Sequence, residues 1–156
     1  MKRVLVAAFG NELRGDDGFG IAVLRQLEAL PTDRYSKIEL RLLEVGTGGL
    51  WLAQELLSPC DRLIIIDAIS RGASPGTVCV LKVDHVPDTQ HIDMHLAVPS
   101  RALAVAKALG ALPAETFLVG CEPADIDELT MNLSECVSRA VPAAVLHVQE
   151  LLELGS

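Results

Sequence analysis

The sequence predicts an α/β fold, a three-layer α/β/α sandwich around a mainly parallel sheet with one antiparallel edge strand. Three observations carry that prediction. Short apolar runs alternate with stretches of helical period, and glycine-rich turns follow the first two of those runs directly. The run Arg62-Leu63-Ile64-Ile65-Ile66-Asp67 is apolar at every position between its ends, as expected of a strand covered on both faces.

The elements follow in order. Val4 to Phe9 reads as a buried strand, and Ile21, Leu24 and Leu27 recur at helical spacing across residues 21–30. Residues 38–45 alternate as a second strand does. After Gly46-Thr47-Gly48-Gly49, the residues Leu50, Trp51, Leu52, Leu56 and Leu57 start a short helix that stops at Ser58-Pro59, with Trp51 expected to pack rather than to stack on a ligand. The third strand is the Arg62–Asp67 run. Residues 77–83 form a further strand, reached through so short a turn at Ser74-Pro75-Gly76 that an antiparallel edge strand is expected instead of a crossover. Residues 84–98 are polar, histidine-rich and without periodicity, and Pro99 opens a helix over residues 99–109 that ends at Gly110. Residues 116–120 are the last strand. Val137, Val141, Val145, Val148 and Leu152 line one face of a closing helix, expected to kink or restart at Pro142.

The order β-α-β-α-β-β-α-β-α contains no repeat and no linker, and 156 residues fit one domain, residues 1–156. Right-handed crossovers that put strand 1 between strands 2 and 3 open a crevice between the carboxyl ends of strands 1 and 3. Half the residues are hydrophobic and the mean hydropathy is +0.36, yet no apolar run approaches the roughly 20 residues of a membrane span. Met1-Lys2-Arg3 leads straight into a core strand, so a cytoplasmic location without a cleaved leader is expected. The net charge of −8 argues against nucleic acid as a partner. Cys60, Cys79, Cys121 and Cys136 show no C-x-x-C spacing and are expected to be reduced and structural.

The chemistry concentrates in the loop Gly10-Asn11-Glu12-Leu13-Arg14-Gly15-Asp16-Asp17-Gly18-Phe19-Gly20. A glycine-rich turn in this place usually cradles phosphate, often with a Lys. This one carries Glu12, Asp16 and Asp17 and no Lys, so it suits a cation or proton chemistry. Either Asp16 or Asp17 alone is also compatible with a helix cap, and Asp67 alone with a turn cap or a pair with Arg71. Together, Asp17 and Asp67 lie at the ends of strands about 4.8 Å apart and can share one ion. For a third ligand, His95 is the best placed of His85, His91, His95 and His147, since it lies just ahead of a helix. His91 sits four residues before it, and a solvated loop histidine is the alternative for each. Two carboxylates and an imidazole suit a borderline divalent ion and leave coordination positions open. No G-x-S-x-G elbow and no H-E-x-x-H motif is present.

These residues resemble the hydrogenase maturation endopeptidases. The likeness rests on Gly10–Gly20, Gly46-Thr47-Gly48-Gly49, Ile65-Ile66-Asp67-Ala68, Pro75-Gly76-Thr77, His95 and Gly120-Cys121-Glu122-Pro123, in that family's order, with Cys121 in place of the usual apolar residue. The resemblance implies an endopeptidase that removes the C-terminal extension of a nickel-iron hydrogenase large-subunit precursor once nickel is inserted. It implies that Asp17, Asp67 and His95 recognise nickel supplied by that precursor, and that the catalytic and metal-binding residues coincide. Metal-assisted hydrolysis follows as the expected mechanism, with Asp17 the first choice of base and Asp16 its helper or a cap. A monomer is expected. The alternative is a nickel-binding or nickel-delivery module that cuts nothing.

Overall fold

Strand β1 (Lys2–Phe9) has neighbours on both sides, which is why its residues from Val4 onward are buried whichever face they occupy. The computed structural model describes residues 1–47, 49–83 and 110–155. Among them, β2 (Ile38–Gly46), β3 (Arg62–Ala68), β4 (Val78–Lys82) and β5 (Glu115–Cys121) complete a five-stranded sheet of order β2-β1-β3-β5-β4. β1 pairs in parallel with β2 and β3, and β3 in parallel with β5, whereas β4 runs antiparallel to β5 at the edge. The expected placement of strand 1 between strands 2 and 3 is therefore observed. The expected antiparallel edge strand is observed, and it pairs with β5 and not with β3, the strand it follows in the chain.

Alternation along the strands sorts the core into two layers. Val4, Val6, Ala8, Ile64 and Ile66 face α1 (Phe19–Glu28) and α3 (Glu135–Glu153), packing on Ile21, Leu24, Val137, Val141 and Val148. Leu5, Ala7, Phe9, Leu63 and Ile65 face α2 (Gly49–Glu55) and bury Leu52 and Leu56. β1 and β3 thus contribute side chains to both layers, which accounts for their unbroken apolar runs.

Two local expectations are corrected. Trp51 does not pack inside; it is 60% exposed, because α2 turns Leu52, Ala53 and Leu56 to the sheet and leaves its neighbour outside. Of the kink or restart expected at Pro142, the restart does not occur, and α3 continues through that residue. Pro142 and Ser138, the residue whose carbonyl loses its helical donor, are both on the exposed side, where water can take that donor's place. The expected helix over residues 99–109 and its histidine-rich approach lie outside the described residues.

Candidate active site

The chain leaves β1 at Phe9, turns through Gly10, and makes a single 3-10 turn, Gly15–Gly18, before α1 begins. Gly10 has φ +122°, and a Cβ there would sit 2.0 Å from the Asp17 carbonyl oxygen. Only glycine permits that fold-back, which returns Asp17 to the mouth of the sheet. The Gly10 N–H also donates to the Gly46 carbonyl at 2.9 Å, joining the two glycine-rich turns. At the start of α1, a Cβ on Gly20 would lie 2.5 Å from the Phe9 carbonyl oxygen and 2.6 Å from that of Ile66. The helix therefore begins directly on the ends of β1 and β3, and the 3-10 turn packs against β3.

The three acids of this loop separate. Glu12 turns outward to Arg25 at 3.7 Å, a cation that also reaches Glu44 at 3.7 Å. Asp16 is buried and turns to the far side. Its Oδ1 accepts the Ser134 N–H at 2.7 Å, and its Oδ2 accepts the Ser134 hydroxyl at 2.8 Å and the N–H groups of Ala124 and Asp125 at 2.8 and 3.1 Å. Burial pushes the Asp16 carboxyl up, but these donors outweigh it and hold the group below the ordinary carboxylate value. Asp16 therefore caps neither the 3-10 turn nor α1, whose first residues receive no side-chain hydrogen bond. It fastens the loop to the turn after β5 and to the start of α3.

Asp17 remains at the mouth, half-buried, its Oδ2 accepting the Asn11 N–H at 2.9 Å. Facing it is Asp67, near the end of β3 and only 3% exposed. Desolvation first, and then the charge of Asp17, push the Asp67 carboxyl well above its ordinary range, against a smaller opposing effect of the Ala68 N–H. Of the expected pair, the structure brings Asp17 near enough for its charge to act on the Asp67 carboxyl. Arg71, the alternative partner for Asp67, forms no ion pair with it among the described residues.

His95, the expected third member, lies outside the described residues, as do His85 and His91. His147 sits on the outer part of α3, 3.6 Å from Glu150, away from the site. Among the described residues no group of three His, Cys, Asp or Glu is arranged to hold a metal ion. Two acids lie there, and a cation beside them would oppose the desolvation and the charge of Asp17 that raise the Asp67 carboxyl. The cysteines are free, as expected. Burial pushes the Cys121 thiol up to about 12, which removes it as a nucleophile.

Glu122, just past β5, is a residue to which the sequence reading gave no role. Its carboxylate accepts the Arg71 N–H at 2.8 Å and the Gly72 N–H at 3.2 Å, so it shapes the loop that follows Asp67. The only signal for it in the sequence was its place in Gly120-Cys121-Glu122-Pro123, directly after the last strand.

A mainly parallel sheet flanked by helices, with acidic side chains at its carboxyl end, defines the class as an α/β protein. The model of the hydrogenase maturation protease family, HycI, matches residues 22–151. The hydrogenase expression/formation protein HupD of Rhizobium leguminosarum bv. viciae is 34% identical over 146 residues, spanning 92% of this chain and 70% of the relative. The solved structure of the hydrogenase maturating endopeptidase HybD from E. coli is similar with a TM-score of 0.83 and 30% identity, covering 97% of this chain and 92% of that one. That of the NiFe hydrogenase maturation protease HybD from Thermococcus kodakarensis gives 0.77 and 32%, covering 96% and 99%. The chain belongs to the hydrogenase maturation protease family.

Proposed function

We propose that this protein is the endopeptidase that removes the C-terminal extension of a nickel-iron hydrogenase large-subunit precursor after nickel insertion, and that Asp17, Asp67 and His95 recognise the nickel. The nickel is part of the substrate, carried in by the precursor. The observation that supports this reading most directly is the Asp17–Asp67 pair. Asp67 is almost wholly buried, carries a raised carboxyl and has no cation beside it among the described residues, while Asp17 meets it from the loop. With His95 the two acids make a set of two oxygens and one nitrogen that leaves coordination positions open, and it suits an ion whose other ligands belong to a partner.

In this reading the chain's own residues do three things. The Asn11 N–H orients Asp17 by holding one of its oxygens, leaving the other for a cation or for a proton drawn from water. Burial and the charge of Asp17 disfavour the ionised form of Asp67, and the positive charge that the loaded precursor presents favours it. An unloaded precursor brings no such charge, so the acids gain nothing from docking. Selectivity for the loaded form follows from this difference in electrostatic energy.

Incubation of a nickel-loaded precursor with the wild-type protein, followed by mass measurement of the large subunit, tests the reading. A C-terminal peptide is lost with the wild type, and not with Asp17→Ala, Asp67→Ala or His95→Ala. Full activity in all three variants refutes the assignment of the site. Metal transferred to or from the precursor without cleavage would identify a nickel-delivery module instead.

A further inference from the structure

Three large apolar side chains stand exposed along a single seam on the acidic loop and the segment it pairs with: Leu13 at 55%, Leu129 at 83% and Met131 at 66%. The seam is where the acidic loop and the segment between β5 and α3 run side by side. Arg14 and Thr130 form a parallel bridge, and the Gly15 N–H donates to the Thr130 carbonyl at 2.8 Å. The Asp16 N–H donates to the Asp125 carbonyl at 2.9 Å, and the Arg14 Nε to the Ile126 carbonyl at 3.2 Å. Leu13 precedes one end of the bridge, and Leu129 and Met131 bracket the other. The Asp16 carboxylate, with its donors from Ala124, Asp125 and Ser134, ties the two loops together from beneath. These side chains are thus presented on a fastened backbone, and little conformational freedom is left to lose when something covers them.

The charge around the seam is one-sided. Glu12 lies on one loop, and residues 121–135 carry Glu122, Asp125, Asp127, Glu128 and Glu135 with no Lys or Arg. Asp125, Asp127 and Glu128 are exposed; among the described residues Arg14 reaches Asp127 at 3.7 Å and Arg25 reaches Glu12 at 3.7 Å. An apolar strip bordered by carboxylates complements a polypeptide with apolar side chains flanked by Lys or Arg. We propose that the seam formed by Leu13, Leu129 and Met131 is the docking surface for such a basic and apolar segment of the hydrogenase precursor. The seam shares its loop with Asp17, which lies four residues along the chain from Leu13. The proposal rests on the reading of this protein as the precursor's endopeptidase.

The test uses the full chain and a nickel-loaded large-subunit precursor, with steady-state cleavage and calorimetric binding measured separately. Because the three side chains are exposed, Leu129→Ser with Met131→Ser leaves the melting temperature in place. This variant is expected to raise KM and the dissociation constant at least about tenfold, with kcat within about twofold. Leu13→Ser moves KM in the same direction. Raising NaCl from about 50 to about 500 mM weakens wild-type binding, and Glu128→Lys weakens it at low salt and flattens that salt response. Unchanged KM and affinity in Leu129→Ser/Met131→Ser overturn the proposal. So does a wild-type dimer that this variant dissociates without a change in precursor affinity, which would make a second copy of the chain the occupant. If the wild type binds the precursor and cuts nothing, the endopeptidase reading fails, while the calorimetric comparison still decides whether the seam is the docking surface.

Discussion

Three carboxylates within six residues of one loop have three different surroundings, and their roles differ accordingly. Glu12 pairs with an exposed arginine, where an ion pair contributes little. Asp16 is an anchor. Removing its carboxylate leaves the N–H groups of Ala124, Asp125 and Ser134 without that acceptor. At about 1 kcal/mol or more for each unmet donor, Asp16→Ala is expected to cost about 3 kcal/mol in urea unfolding. Ser134→Ala removes only the hydroxyl bond and is expected to cost about 1 kcal/mol. Asp67 opposes folding. Its folded carboxyl sits well above the ordinary value of 3.8, so the native state keeps a proton that the unfolded chain releases as pH rises through that value. Stability contributed by this group is therefore greatest in acid and falls as pH rises. Asp67→Asn cannot ionise, and its amide can donate to Asp17. In metal-free protein it is expected to raise the melting temperature at pH 7, with the gain vanishing as pH falls toward about 4. A variant less stable than wild type at pH 7 would contradict the raised carboxyl.

At the scale of elements, the site depends on how closely α1 approaches the strand ends. Gly20 lets the helix start against the Phe9 and Ile66 carbonyls, and α1 then packs on β1, β3 and α3. Gly20→Ala puts a methyl group within 2.6 Å of both carbonyl oxygens. The helix must lift, at about 1 to 3 kcal/mol, and the 3-10 turn carrying Asp17 must move with it. A lower urea midpoint together with a lower kcat for precursor cleavage is the expected result; unchanged values of both would show that the contact relaxes freely. At the far end of the sheet, Arg62 closes the other boundary. It is fully buried, its guanidinium donates to the carbonyls of Leu151 and Leu154 at the end of α3, and it pairs with Glu115 at 2.7 Å. One helix terminus is thereby bound to the strand that ends in Asp67, and the other, through Ser134, to the loop that bears Asp17. α3 links the two acids mechanically without contributing to the site.

Over the whole molecule, the ends of the sheet divide the work. The carboxyl ends carry the acids and the exposed apolar seam, while the amino ends carry ordinary ion pairs. Among these, Arg3 grips Asp61 through its backbone N–H at 2.8 Å and two guanidinium bonds at 3.0 Å. The Arg3 side chain, its backbone N–H after it, brings Asp61 down to about 2. That stabilisation is present above the unfolded value near 3.8 and is lost as pH falls through about 2. Arg3→Met is accordingly expected to lose less stability than wild type between pH 4 and pH 2, when urea midpoints are followed across that range. No helix among the described residues is long and apolar enough to cross a membrane.

What the sequence determined by itself was local or periodic. The unbroken apolar runs of β1 and β3, the glycine turns after β1 and β2, and the helical recurrence of Ile21, Leu24 and Leu27 are consequences of backbone geometry acting over a few residues. They suffice for the parallel sheet, its antiparallel edge strand and the position of Asp17 and Asp67 at neighbouring strand ends. Only the tertiary structure decided that Asp16 anchors the loop to the turn after β5, that Trp51 lies outside, and that Glu122 shapes the loop after β3. Each of those depends on donors and neighbours far away in the chain, Ser134 for Asp16 and Arg71 and Gly72 for Glu122. Hydrogen bonds across such separations leave no period in the sequence, because they are set by how the elements pack and not by how the chain repeats.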